Sequence, residues 1–321
     1  MLLTIKKLPM KRSLAVCILF SIVIHASSQI KNESSTPLPK VASGTIQRIE
    51  KFPSKFVEAR NVDIWLPDGY SVKKKYAVLY MHDGQMLFDS SNNWNHQEWG
   101  VDETVSKLIK EKKIRECIVV AVWNIPAKRY ADYMPQKVID SIPEPTKSKL
   151  ITQQIKATPD ADNYLKFLVT ELKVYIDSAY ATKKDVKNTF IMGSSMGGLI
   201  SAYALCEYPE VFGGAGCLST NSSFLPFAMI NDKTDAEGAS KFRNYLAAHL
   251  PKANTRKIYF DYGDQDMDAY YIPFQPKIDE VMRQKGYSEK YWITNFYPGE
   301  GHSEKSWNKR LHIPLVFLLK K

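Results

Sequence analysis

Short apolar and β-branched runs recur along the chain at 62–66, 76–81, 117–123, 189–192, 214–218, 257–262 and 292–297, and each reads as a strand. Between them lie stretches with helical spacing, at 101–110, 196–207, 273–285 and 305–319. The clearest places Tyr164, Leu165, Leu168, Leu172, Tyr175, Ile176 and Ala179 on one face. Strands alternating with helices predict an α/β fold, a mostly parallel central sheet with helices on both faces and any antiparallel pair near the N-terminal edge. The one long stretch without period, 136–160, holds Pro143, Pro145 and Pro159 and is expected to be a loop, either a lid over the carboxyl edge of the sheet or a surface insertion.

The first 28 residues follow a different pattern. Lys6, Lys7, Lys11 and Arg12 precede the apolar run 14–24, and Ala26-Ser27-Ser28 follows it, the layout of an export signal cleaved from a secreted or periplasmic protein. A run of eleven residues is too short for a bilayer, which needs about 20, so no stable membrane insertion is expected after cleavage. Residues 29–45, rich in Ser, Thr, Pro and Lys, read as a flexible leader, and 46–321 as a single domain. Removing the signal takes four of the 44 basic residues and none of the 34 acidic ones, so the net charge falls from +10 to +6. The remaining cations are scattered as on solvated faces, with no basic run interleaved with aromatics, and nucleic acid is not an expected partner. Cys117, Cys206 and Cys217 show neither CxxC spacing nor clustered histidines. No zinc site or disulfide scaffold is indicated, although export would allow one Cys206–Cys217 bridge.

Candidate chemistry centres on Gly193-Ser194-Ser195-Met196-Gly197-Gly198, where an apolar run gives way to a helical pattern. A serine between small residues at such a junction is the layout of a nucleophile elbow, and the G-x-S-x-G register selects Ser195 over Ser194. In an open parallel sheet, partners belong just after other strands. The turn Gly263-Asp264-Gln265-Asp266-Met267-Asp268 follows the strand at 257–262, and Gly299-Glu300-Gly301-His302 follows the one at 292–297. Serine, acid and histidine thus occur in α/β-hydrolase chain order. His302 would take the Ser195 proton and return it to the leaving group, and the acid would hold the imidazole in the right tautomer. An oxyanion needs two aimed donors. The Met196 N–H is one candidate, and the loop His82-Asp83-Gly84-Gln85 offers the other through Gly84, with Gln85 as the alternative. His82 is expected to orient that loop, His249 and His312 to be structural, and Asp102-Glu103 to begin a helix.

The ordered set resembles the esterase family of α/β-hydrolases that includes feruloyl and acetyl-xylan esterases, S-formylglutathione hydrolase and enterochelin esterases, in its exported bacterial branch. The resemblance is carried by 60–67, the His82 to Gln85 loop, Trp123-Asn124 with Arg129, Tyr133 and Pro135, Glu171-Leu172-Lys173, Gly193 to Leu199, Gly263 to Asp268, and Gly301-His302 with Trp307 and Arg310. It implies Ser195 as nucleophile, His302 as base and a turn acid as partner. Some relatives point to Asp266, but the exported branch points to Asp268. The implied activity is hydrolysis of a carboxylic ester, with a small-molecule or glycan ester as substrate and an acyl or aryl-acyl group on a carbohydrate favoured. No metal or organic cofactor is implied. The same residues could serve an acyltransferase or a peptidase, and a catalytically silent glycan-binding protein on this scaffold is the alternative outside enzymes.

Overall fold

The computed structural model describes residues 36–221, 223–224 and 238–320. The expected export signal at 1–28 lies outside them. In chain order the strands are β1 (Thr45–Phe52), β2 (Arg60–Leu66), β3 (Ala77–Met81), β4 (Cys117–Val122), β5 (Thr189–Ser194), β6 (Gly214–Leu218), β7 (Lys257–Gly263) and β8 (Trp292–Tyr297). They form one sheet in the order β1-β2-β4-β3-β5-β6-β7-β8. β1, β2 and β4 pair antiparallel, and every pairing from β4 through β3 to β8 is parallel.

Alternation along the strands explains why helices cover both faces. Val78 and Tyr80 of β3 enter one core cluster, and Ala77, Leu79 and Met81 enter the other. One face is covered by α1 (Val101–Lys110), α10 (Glu304–Arg310) and α11 (His312–Leu319). The other carries α2 (Arg129–Tyr133), α3 (Gln136–Asp140), α4 (Thr146–Lys149), α5 (Ala161–Phe167), α6 (Lys173–Ala179), α7 (Met196–Glu207), α8 (Gly238–His249) and α9 (Gln275–Gln284). α7 is buried along nearly its whole length, from Met196 to Cys206.

The structure corrects several sequence expectations. β1 has no apolar run and was not foreseen; its register depends on Arg48, which faces Asp63 of β2, bonds both carboxylate oxygens at 2.6 and 2.7 Å and stacks on the Trp123 ring. The stretch 136–160 is not a loop: α3, α4 and a π-helical turn at Leu150–Ile155 bury Val138, Ile139, Ile142, Leu150 and Ile155 in the same cluster as Leu199 of α7. Cys117, Cys206 and Cys217 are free and buried, so the Cys206–Cys217 bridge does not form. The helix pattern at 305–319 breaks into α10 and α11 around Pro314, which lacks an N–H for the Arg310 carbonyl and crowds it. A second π-helical turn, Leu168–Leu172, joins α5 to α6, and beyond it Tyr175 is exposed, although the periodicity placed it with Ile176 on the buried face. Among the described residues no helix is long and apolar enough to cross a membrane.

The end of the expected leader is tied to the body. Lys40 N–H bonds Asp89 at 2.8 Å, Ala42 N–H bonds Asp102 Oδ2 at 2.7 Å, and the Trp65 indole bonds the Ser43 carbonyl. Asp102 does begin α1 as expected, but it is wholly buried and its Oδ1 has no hydrogen-bond partner among the described residues. Burial, reinforced by Glu103 beside it, pushes this carboxyl up from 3.8 to about 7. A carboxyl that folding keeps protonated contributes stability at low pH, and that stability is lost as pH rises through 7. Asp102→Asn keeps the shape without the charge, so it should melt at a higher temperature than the wild type at pH 8 and approach it only near pH 4, where the carboxyl of the unfolded chain is becoming protonated as well. An equal difference at both pH values in thermal scans would refute this reading of Asp102.

Candidate active site

The junction of β5 and α7 places Ser195 at φ 57° and ψ −120°, a backbone conformation that a serine rarely adopts. Three glycines make the turn feasible. A side chain at Gly193 would come within 2.7 Å of the Gly197 backbone, one at Gly198 within 2.6 Å of Thr220 Oγ1, and one at Gly197 would press on His82 Cβ at 3.3 Å. The turn is fixed by Ser195 N–H to the Leu218 carbonyl at 2.9 Å and by Leu199 N–H to the Ser195 carbonyl at 3.1 Å. Ser194 ends β5 fully buried, while Ser195 is partly accessible.

The β7 and β8 loops supply the second half. They press so closely that a Cβ on Gly263 would lie 1.9 Å from the Glu300 carbonyl oxygen. Asp268, wholly buried, accepts from His302 Nδ1 at Oδ1 (2.7 Å) and from Gly263 N–H (2.7 Å) and Ser219 Oγ–H (2.6 Å) at Oδ2. Asp266 is exposed at φ 51° with its carboxylate turned against Gly301, and no contact joins it to His302. The structure therefore brings Asp268, and not Asp266, to the histidine. Trp307 stands edge-on to the imidazole at 5.1 Å, and Tyr271 does so at 5.8 Å. The buried Tyr271 hydroxyl lies close to the Ser195 side chain, so one tyrosine neighbours both the elbow serine and the histidine. Burial pushes its phenol well above the usual tyrosine range.

The loop after β3 lies beside the elbow because β3 and β5 are neighbours, and His82 N–H bonds the Met192 carbonyl at 3.0 Å. A Cβ on Gly84 would sit 2.6 Å from the Ala121 backbone of β4, so close packing against that strand calls for glycine here. Gln85 Oε1 accepts from Asn124 N–H at 3.1 Å. Asp83, at φ 55°, holds the loop through a two-pronged bond with Arg129 (2.8 and 2.7 Å) and one from Asn124 Nδ2 (2.6 Å). Burial alone would raise its carboxyl, but the Arg129 guanidinium and these bonds outweigh that and hold it below the usual carboxylate range. Met196 opens α7, the helix that follows the elbow. The remaining histidines play other parts: His249 stacks on Tyr245, and His96 and His312 are exposed. No group of three or more metal-ligating side chains occurs among the described residues.

His82 is buried, with Nδ1 2.9 Å from the Tyr164 hydroxyl and Nε2 without a partner among the described residues. Burial lowers its pKa from 6.5 to about 3, with Arg129 and Arg60 adding to the fall and Asp83 opposing it. The unfolded chain therefore takes up this proton first, and stability that is complete above pH 6.5 is lost as pH falls toward 3. Against His82→Gln, the wild type should lose about 1.4 kcal/mol per pH unit of relative stability over that window. Urea unfolding at pH 7, 5.5 and 4 measures this difference, from which the opposite slope due to Asp102 cancels. A constant gap between the two proteins would show that His82 is not buried neutral.

A parallel sheet covered on both faces, with a strained serine turn after its fifth strand, is the α/β-hydrolase fold. The family model described as "Putative esterase" matches residues 54–316, and the chain belongs to that esterase family, whose members are carboxylic-ester hydrolases. Among curated proteins, it is 25% identical over 233 residues to an endo-1,4-beta-xylanase/feruloyl esterase of Xylanibacter ruminicola, covering 64% of this chain and 27% of that one. It is also 19% identical over 266 residues to the uncharacterized Bacillus subtilis protein YbbA, covering 81% and 92%. Among solved structures, an IroE-like serine hydrolase from Shewanella oneidensis superposes with a TM-score of 0.62 at 19% identity, covering 85% of this chain and 79% of that one. A ferulic acid esterase from Anaeromyces mucronatus superposes at 0.58 and 20% identity, covering 89% and 94%.

Sequence reasoning gave no role to Tyr271 or Ser219. Tyr271 carried a weak signal, lying three residues after Asp268 in the same turn of the chain, whereas Ser219 follows β6 with no motif around it.

Proposed function

We propose that the protein is an exported serine esterase in which Ser195 attacks the ester carbonyl, His302 accepts its proton and Asp268 holds His302. The observation that carries this reading is the 2.7 Å bond from His302 Nδ1 to the wholly buried Asp268, beside a serine in a strained elbow that shares Tyr271 with that histidine. Asp268 receives Nδ1–H, so the Nε2 lone pair is left to accept the Ser195 proton. The alkoxide adds to the carbonyl. The oxyanion is then met by the Met196 N–H and by a main-chain N–H of the Gly84-Gln85 turn. His302 returns the proton to the leaving alcohol, and water repeats the sequence on the acyl-enzyme.

For the substrate we propose an acyl or aryl-acyl ester on a carbohydrate. Support comes from the xylanase/feruloyl esterase relative and from aromatic groups open to solvent on loops that follow β3 and β7, namely Trp94 and Tyr270. Export is supported by the pattern at 1–28 alone, and the N-terminal sequence of the mature protein recovered from the periplasm or medium tests it.

A fluorophosphonate probe should label Ser195, and Ser195→Ala should abolish both labelling and hydrolysis of p-nitrophenyl esters. Absence of labelling in the wild type would remove the serine mechanism. Asp268→Asn should lower turnover on the order of 10⁴-fold with the fold intact, because the histidine is then held in the wrong tautomer, while Asp266→Asn should stay near wild type. The reverse result would reassign the acid. Among acetylated xylo-oligosaccharides, methyl ferulate and simple alkyl esters, kcat/KM should favour the first two. Uniform slow rates on all of them would overturn the carbohydrate assignment alone.

A further inference from the structure

Ser219 lies just after β6, wholly buried, at φ 39°, in the left-handed region that a serine occupies only when its surroundings hold it there. Its main-chain N–H is taken by Asp261 Oδ1 at 2.9 Å. Its hydroxyl has three neighbours: Trp307 Nε1 at 2.9 Å, Arg310 Nη2 at 2.9 Å and Asp268 Oδ2 at 2.6 Å. A serine oxygen offers one proton and two lone pairs, and indole and guanidinium nitrogens can only donate. Trp307 and Arg310 therefore occupy both lone pairs, and the single proton can point only at Asp268.

From this arrangement, and resting on the serine-esterase reading above, we infer that Ser219 is a positioning residue that sets the direction of the His302–Asp268 hydrogen bond. Asp268 Oδ2 receives two donors, Ser219 O–H and Gly263 N–H, and has no room to hold a proton of its own. Oδ1 is left as acceptor for His302, which must then carry its proton on Nδ1 and present an unprotonated Nε2. Ser219 also keeps a cation from competing. Arg310 approaches Asp268 to 3.8 Å through Nη2, but that nitrogen gives its hydrogens to Asp261 at 3.1 Å and to the Ser219 hydroxyl at 2.9 Å, while Nε bonds Asp261 at 3.2 Å. Without that hydroxyl, Arg310 could turn its freed N–H toward Asp268 and draw the carboxylate away from the imidazole. Trp307 couples the two halves, since its indole N–H fixes Ser219 while its ring stands edge-on to His302.

Two substitutions test this. Ser219→Ala removes the hydroxyl, and Ser219→Gly removes it while suiting φ 39°, so it folds even where the alanine variant is strained. Both should lower kcat roughly 10- to 100-fold, short of the ~10⁴ of losing the acid itself, with KM little changed. In both, the low-field proton NMR resonance of the His302–Asp268 bond should shift or broaden away. A merely structural role would lower the melting temperature and leave kcat and that resonance at wild-type values, which would overturn the inference. Fluorophosphonate labelling of the wild type separates the two levels: an unlabelled wild type removes the serine mechanism itself, whereas a labelled wild type with unaffected Ser219 variants removes only the role of Ser219.

Discussion

Close approach of backbones around the start of α7 is the constraint from which the site follows. Gly193 and Gly198 leave no room for a Cβ against, respectively, the helix itself and the chain after β6, and Gly197 leaves little against the His82 loop. With those three surfaces in contact, the chain can turn from β5 into α7 only by passing through the left-handed region at Ser195. Such a conformation costs about 1–3 kcal/mol at a non-glycine residue. Packing sustains it, since every residue from Met196 to Cys206 is buried and Leu199, Ile200, Tyr203 and Leu205 are inaccessible to solvent. The exposed hydroxyl of Ser195 is thus a consequence of how the sheet and helix fit, and it would persist without any substrate.

Charge is paired near the same edge of the sheet, partly buried at Asp83 and Arg129 and almost wholly buried at Asp261 and Arg310. Asp83 with Arg129 holds the loop after β3, and Asp261 with Arg310 backs the acid that meets His302. A buried pair recovers its desolvation cost only when its remaining hydrogen-bonding capacity is met, and breaking one leaves a stranded charge. Asp83 meets this demand through Asn124, and Asp261 through Ser219 N–H and the Tyr259 hydroxyl. Their value lies in direction more than in stability: each pins a loop whose sequence alone would leave it free to move.

What the sequence could disclose divides along physical lines. β2 to β7 were legible because central strands buried on both faces read as apolar runs, as in Cys117-Ile118-Val119-Val120-Ala121-Val122, and β8, an edge strand, was legible by its aromatic and β-branched residues Trp292-Ile293-Thr294 and Phe296-Tyr297. β1 was illegible because it is an edge strand, whose charged residues work through a cross-strand pair with Asp63. The helices at 136–155 were hidden by prolines at their starts, where proline is compatible with a helix. Ser195 and His302 could be found because glycines punctuate both and their order along the chain is fixed by the order of the strands. The residues by themselves did not separate Asp266 from Asp268, which share one turn and differ in which way that turn faces; the resemblance to the exported branch alone favoured Asp268. At Gly84 the missing side chain makes room for β4, and this says nothing by itself about which N–H faces a substrate.

The proposed mechanism requires two rigid units to agree to within a fraction of an ångström, because Ser195 belongs to the β5–α7 elbow and His302 to the loop after β8. Neither unit fixes the other through the sheet alone, since β6 separates β5 from β7. The chain leaving β6 closes that gap from below: the Leu218 carbonyl accepts the Ser195 N–H, and the next residue, Ser219, bonds Asp268. Tyr271 lies across the same gap, its hydroxyl close to Ser195 and its ring edge-on to His302. Consecutive residues of one strand end thus register Ser195 and Asp268 against each other. A displacement of β6 by one residue would move both contacts together, and so the alignment depends on the parallel register that pairs Ser194 with Leu218.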